Sequence, residues 1–288
     1  MKPAWRNTPL RKFLMLLATL VFALPPTLGS AAIDPVRIQK LLDEGEPAKA
    51  RQLVVEGMKA DGLAVSASMV ANIIGWAYFS SGRYDDAEGE LKEALRLAEI
   101  DGDSATAKLA ANNLGILNFV ENRLDESQHY FNRSYNVNTE IAATYRNLID
   151  VKRREIQVSE AIQMGAQKRR ERKFDEAVSY YNIALLHDSK NAEALEYKGY
   201  ALFRLDRYDE AAAILEEARV IDPLRKFLHL NLLKVECARG GEDRVKQVLD
   251  QSKLPDGQFA EWFSVDEEFK RVCDKSAEVA KAVGLAGK

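Results

Sequence analysis

The stretch Ala192–Arg225, AEALEYKGYALFRLDRYDEAAAILEEARVIDPLR, decides how the rest of the chain is read. It reads as two helices joined by the short turn Leu205-Asp206-Arg207-Tyr208, and Asp222-Pro223 closes it. Small residues sit where the two helices would cross: Gly199 in the first, Ala211 and Ala218 in the second. They let the backbones approach closely, and the larger Leu215, four residues after Ala211, fills the adjacent hole. One such hairpin cannot bury its apolar face alone, so neighbours must stack on it.

The same spacing recurs along the chain. Leu202, Ala211, Leu215 and Ala218 follow Gly199 by 3, 12, 16 and 19 residues. At those offsets Gly75 is followed by Tyr78, Ala87, Leu91 and Ala94, and Gly115 by Asn118, Ser127, Phe131 and Ser134. Gly165 is followed by Lys168, Ala177, Tyr181 and Ala184. The step from Gly165 to Gly199 is 34 residues, and 34 more reaches Leu233. The step from Gly75 to Gly115 is 40, so that unit gains about one and a half helical turns around Asp101-Gly102-Asp103-Ser104.

These residues resemble the tetratricopeptide repeat family. The quoted stretch is the best copy. Gly-Trp-Ala-Tyr at 75–78 with Gly-Arg-Tyr-Asp-Asp-Ala at 82–87 is a second, and Phe174-Asp175-Glu176-Ala177 carries a third. The resemblance covers roughly residues 36–252. It implies an all-α chain, an α-α superhelix (solenoid) of stacked antiparallel helix hairpins. The expected order is a leader at 1–31, a degenerate first repeat at 34–61 and a repeat pair at 68–141. A bridging helix at 142–157, a second pair at 158–225, a degenerate repeat at 226–252 and a helical cap at 253–288 follow. The cap's apolar set, Phe259, Trp262, Phe263, Phe269 and Val272, would cover the last exposed helix pair.

Composition narrows the class. Of 288 residues, 47% are hydrophobic and 30% charged, which excludes a disordered acidic chain and a multi-span membrane protein. Three His and two Cys are too few for a zinc scaffold. The formal net charge is -3. Lys2, Arg6, Arg11 and Lys12 lie in a start that has no acid, and setting them aside leaves 37 basic against 44 acidic residues. A mildly acidic body is no electrostatic trap for nucleic acid. Those basic residues precede an apolar run, Phe13–Leu24, then Pro25-Pro26 and the small residues Gly29-Ser30-Ala31-Ala32. That order describes a secretory signal cut near Ala31 and predicts a periplasmic or secreted protein with no transmembrane span left after cleavage.

No catalytic constellation, metal motif or cofactor loop emerges, so an enzyme is not expected and no cofactor is assigned. His229, between Leu228 and Leu230, reads as core-edge or surface rather than a ligand. Cys237 and Cys273 are the only thiols. An even count in an oxidising compartment invites a disulfide, and the alternative is two separate buried Cys acting as small apolar residues.

Two faces are candidates for a partner. In stacked hairpins the first helices line the concave side, which places Asn72, Trp76, Phe79, Asn112, Ile116, Phe119, Tyr200 and Phe203 in a groove. Rings beside amides suit a protein or peptide partner, although the same rings could pack between repeats. The second face is basic: 152–173 is rich in Lys and Arg, with Lys168, Arg169, Arg170, Arg172 and Lys173 at its centre. It reads either as a patch for an acidic peptide, polysaccharide or lipid headgroup, or as cations complementing a helix C-terminus. The expected function is an exported, non-enzymatic scaffold or adaptor in envelope assembly, secretion or polymer export. The alternative is a polysaccharide- or lipid-associated accessory protein.

Overall fold

Acidic residues in the first turn of a helix complement the positive end of its dipole, and the repeated turns exploit this. The computed structural model describes residues 33–134, 139–252, 254–255 and 257–285, with the backbone alone for 139–142. The expected leader at 1–31 lies outside the described residues. Every regular element among those described is an α-helix. The first six are α1 (Pro35–Asp43), α2 (Pro47–Ala60), α3 (Ala67–Ser80), α4 (Tyr84–Ile100), α5 (Ser104–Val120) and α6 (Leu124–Arg133). Then come α7 (Thr139–Arg170), α8 (Phe174–His187), α9 (Ala192–Arg204), α10 (Tyr208–Ile221), α11 (Lys226–Arg239) and α12 (Glu242–Gln251). Three short helices finish the chain: α13 (Gln258–Val265), α14 (Glu267–Cys273) and α15 (Ala277–Ala282).

Two compact units divide at Val151/Lys152, within α7. In the first, α1/α2, α3/α4 and α5/α6 are antiparallel hairpins stacked in chain order, with α1, α3 and α5 neighbours in one row. In the second, α8 packs on α9, α9/α10 and α11/α12 are hairpins, and α9, α11 and α14 form the row of first helices. The short helix α13 is inserted between α12 and α14. The bridging helix expected at 142–157 does not end at 157. It continues unbroken to Arg170, because 142–164 offers no Gly, Pro or cap to stop it, and Gly165 is mid-helix. The lengthened unit takes its extra residues on both arms: α4 and α5 have 17 residues each, where α3 and α10 have 14.

The turns obey one rule. The residue seven after each origin lies in the left-handed region: Gly82, Asn122, Arg172, Asp206 and Gly240, at φ 79°, 65°, 62°, 58° and 75°. The amide of the next residue then bonds back to a carbonyl five residues earlier, as Arg83 does to Tyr78 and Arg207 to Leu202. The second helices start without a side-chain cap and carry Asp-Asp, Asp-Glu or Glu-Asp in the first turn instead. The first helices α3, α5 and α9 use caps, where Ser66 accepts from Met69, Asp103 from Thr106 and Asn191 from Ala194, whereas α11 starts without one.

The crossings are as tight as the small residues require. A Cβ on Gly75 would lie 2.8 Å from Leu91, and one on Gly115 would lie 2.9 Å from Phe131. On Gly165 it would lie 2.5 Å from Tyr181, and on Gly199 2.4 Å from Leu215. All four large partners are fully buried. Ser127 keeps the close approach where other units have Ala, and its hydroxyl donates to the Gly115 carbonyl at 2.8 Å. Tyr181 brings a polar atom into the core. Its hydroxyl has no partner among the described residues, and burial pushes the phenol up to about 12. Tyr181→Phe therefore removes an unmet donor and is expected to raise stability by about 1 kcal/mol. Urea unfolding of the two proteins checks this, and a lower midpoint for the variant would contradict it.

Candidate partner-binding site

The expected groove divides into a part that is closed and a part that is not. In the first unit, Asn72, Trp76, Phe79, Asn112, Ile116 and Phe119 are all buried. The Asn113 amide donates to Asn72 at 3.0 Å. Trp76 stacks on Phe79 at 4.9 Å, and Phe119 meets Tyr145 of α7 edge-on at 5.3 Å. Both polar atoms of the Asn112 side chain lack a partner among the described residues. As a groove these six residues are therefore a correction: they are core. The cause is that α3 and α5 are apolar nearly all round, which is the pattern of a buried helix rather than of one with a solvent face. The sequence held that signal, since Ala67–Ser80 has no charged residue.

The second unit is different. Phe203 is buried there too, but Tyr200 is only half-buried. The Arg169 guanidinium lies over the Tyr197 ring at 4.6 Å and reaches the Tyr200 ring at 5.7 Å. Arg204 donates to the Tyr200 hydroxyl at 3.2 Å and lies over Phe174 at 4.6 Å. The Tyr200 hydroxyl donates to Glu268 at 3.1 Å. Glu268 also faces Arg204 at 3.3 Å and Lys234 at 3.2 Å, and Lys234 bonds Asp266 at 2.6 Å. A row of cations, rings and carboxylates thus crosses α7, α9, α11 and α14. Sequence reasoning missed Tyr197, Arg204, Lys234, Asp266 and Glu268. One signal was available: Tyr200 and Lys234 are one 34-residue period apart, so both take the same place on successive first helices.

Beside this row Glu196 is almost fully buried and bonds Arg225 at 2.6 Å. Burial raises its carboxyl above the ordinary 4.5, and the Arg225 bond offsets only part of that. Asp266 shifts the other way. Burial alone would raise it, but bonds from Lys234 and from the Phe269 amide outweigh that and hold it below 3.8. A carboxyl lowered in the folded state contributes stability above its unfolded value, and that stability is lost as pH falls through the folded value. Acidification below 3.8 is therefore expected to loosen α14. Amide exchange at 267–273 that stays unchanged across that range would refute this.

The basic patch is largely answered by its own acids. Lys168 meets Glu176 at 2.7 Å and Glu171 at 3.7 Å, and Lys173 meets Glu171 at 3.1 Å. Arg169 is taken up by the tyrosines, which leaves Arg170 and Arg172 exposed without an ion-pair partner among the described residues. The cations of this stretch sit where α7 ends, the place its dipole favours. His229 is buried, with Nε2 at 2.8 Å from the Pro223 carbonyl. Cys237 and Cys273 are joined by a disulfide, their Cα atoms 5.2 Å apart. Among the described residues no group of three or more His, Cys, Asp or Glu gathers as a metal site. No described helix is long and apolar enough to cross a membrane.

Comparison with known proteins places the repeats. Residues 73–139 and 166–225 match the sequence profile of the tetratricopeptide repeat. A search of curated proteins gave no match. Similar solved structures include the TPR2AB domain of yeast Sti1 in its complex with pHSP90, at 15% identity over 88% of this chain and 97% of that one, TM-score 0.42. YrrB, a repeat protein with an unusual peptide-binding site, is similar at 19% identity over 69% and 90%, TM-score 0.25. A thermophilic repeat protein of Thermus thermophilus is similar at 16% identity over 76% and 100%, TM-score 0.30.

Proposed function

From a chain that is a tetratricopeptide-repeat protein, we propose a non-enzymatic scaffold that holds a protein or peptide partner on the first-helix face of the second unit. The observation that carries this is the Arg169-Tyr197-Tyr200-Arg204 row. Its rings are half-buried, and the Arg169 guanidinium lies over the Tyr197 and Tyr200 rings. A guanidinium over two tyrosine rings is held in place by them, and aromatic and Arg side chains are the groups that dominate protein interfaces. We place the scaffold outside the cytoplasm, in envelope assembly, secretion or polymer export. Support comes from the basic-apolar-small order of the first 32 residues and from a disulfide that an oxidising compartment would preserve.

Tyr200 is the residue to test, since Trp76 is buried and its loss would report on folding. Tyr200→Ala is expected to weaken partner capture by about thirtyfold, or about 2 kcal/mol, with helicity unchanged. Crosslinking from an envelope fraction, followed by affinity measurement on the purified pair, reads this. Equal affinity for the two proteins would remove the face from consideration.

A further inference from the structure

The residues that complete the row come from the chain's own end. Asp266 and Glu268 lie at the start of α14, and between them they engage Lys234, Arg204 and the Tyr200 hydroxyl at 2.6 to 3.3 Å. Lys234 is almost fully buried beneath them. A buried ammonium needs a paired anion, so this place on the face is built for carboxylates. The segment that supplies them packs on the second unit's core through Phe269, Cys273 and Val279, with Phe259, Trp262, Phe263 and Val272 half-buried against it, but its helices are short. Among the described residues α13 buries no side chain fully, α14 buries Phe269 and Cys273, and α15 buries Val279. With 8, 7 and 6 residues these helices are far below the length at which a helix is stable alone. What ties them covalently to α11 is the disulfide between the half-buried Cys237 and the buried Cys273.

We propose that residues 258–282 are a disulfide-latched strap that occupies, with Asp266 and Glu268, a docking place for an acidic segment of the partner. The proposal rests on the reading of the second unit's face given above and names its ligand chemistry: a short stretch with two carboxylates, for which the strap is the internal stand-in. While the latch is closed the tethered carboxylates compete at high effective concentration, and an outside acidic segment meets a filled site. A dithiol opens it. Its thiolate attacks the more accessible Cys237 sulfur, Cys273 leaves as a thiolate and takes a proton, and the second thiol closes the dithiol's own disulfide as Cys237 departs. Two electrons and two protons pass to the protein. Lys234, Arg204 and Tyr200 are then free to take external carboxylates.

The test uses the full chain and a labelled peptide, Ser-Val-Asp-Glu-Glu-Phe-Lys, which copies residues 264–270. Binding is followed by fluorescence anisotropy with and without dithiothreitol and for Cys237→Ser with Cys273→Ser, while amide exchange is read at 258–282. Reduction is expected to strip exchange protection from the strap and to tighten peptide binding at least about tenfold. Arg204→Ala, which spares the buried cation, and Lys234→Met are each expected to undo that gain. A peptide with Asn and Gln in place of its acids is expected not to bind. A strap that stays protected after reduction overturns the latch. A strap that opens without peptide binding overturns the ligand assignment. Tyr200-dependent partner capture that ignores the redox state sinks this inference alone, whereas loss of Tyr200 dependence in both states sinks the docking face itself.

Discussion

Gly199→Val is expected to cost the second unit about 3 kcal/mol of stability. The ideal Cβ position lies 2.4 Å from Cγ and 2.5 Å from Cδ2 of Leu215. Cγ is the branch point of a fully buried side chain, not a flexible end, so it has nowhere to go. Valine adds two methyl groups to that overlap, and the helices α9 and α10 must part. The gain in helix propensity over glycine is too small to offset this. Urea unfolding followed by far-ultraviolet circular dichroism reads the effect. The control is Gly89→Ala in α4, where a Cβ would meet nothing within 4 Å. There propensity acts unopposed, and a gain of about 1 kcal/mol is expected. If both substitutions moved the midpoint the same way, the nesting of small and large residues would not be what holds the hairpins together.

Removing the disulfide is expected to have an effect of similar size, confined to the chain's end. The bridge closes a loop across 36 positions, and opening it restores unfolded-state entropy worth about 4 kcal/mol. Repeat chains pass stability only between neighbours, so Cys273→Ser should weaken α11 to α15 and leave α3 to α6 untouched. Amide exchange resolves the two regions in one experiment. Protection lost evenly along the chain, or lost nowhere, would contradict the prediction.

Much of the fold was legible because its determinants are local or periodic. The pairs Gly75/Leu91, Gly115/Phe131, Gly165/Tyr181 and Gly199/Leu215 stand at one offset in the sequence and in van der Waals conflict with any added Cβ in the structure. A repeated offset can be read without coordinates, since each helix turn adds a constant rise and rotation. The extension of 142–157 to Arg170 was open to the same kind of reading, since 142–164 holds no Gly or Pro. A helix stops where a cap or breaker stops it, and the expected boundary had neither.

The candidate site was harder to read. Seven of the eight residues assigned to the groove are buried, and Tyr200 alone remains half-exposed. Position on a first helix says which way a side chain points, but not what lies there to cover it. The partners of Tyr200 include Glu268, 68 residues away on a segment outside the period, so no spacing rule could have joined them. The cysteines show the same limit, because two thiols 36 residues apart pair only if folding brings their Cα atoms to about 5–6 Å, as it does.

The amino-acid sequence by itself determined the helix pairs, their small-against-large crossings and their turns, because those follow from spacing along one chain. Only the tertiary structure decided which faces stay open, which cations are already answered and which thiols meet. Burial and pairing depend on segments distant in sequence arriving at one place, and that arrival is settled by packing.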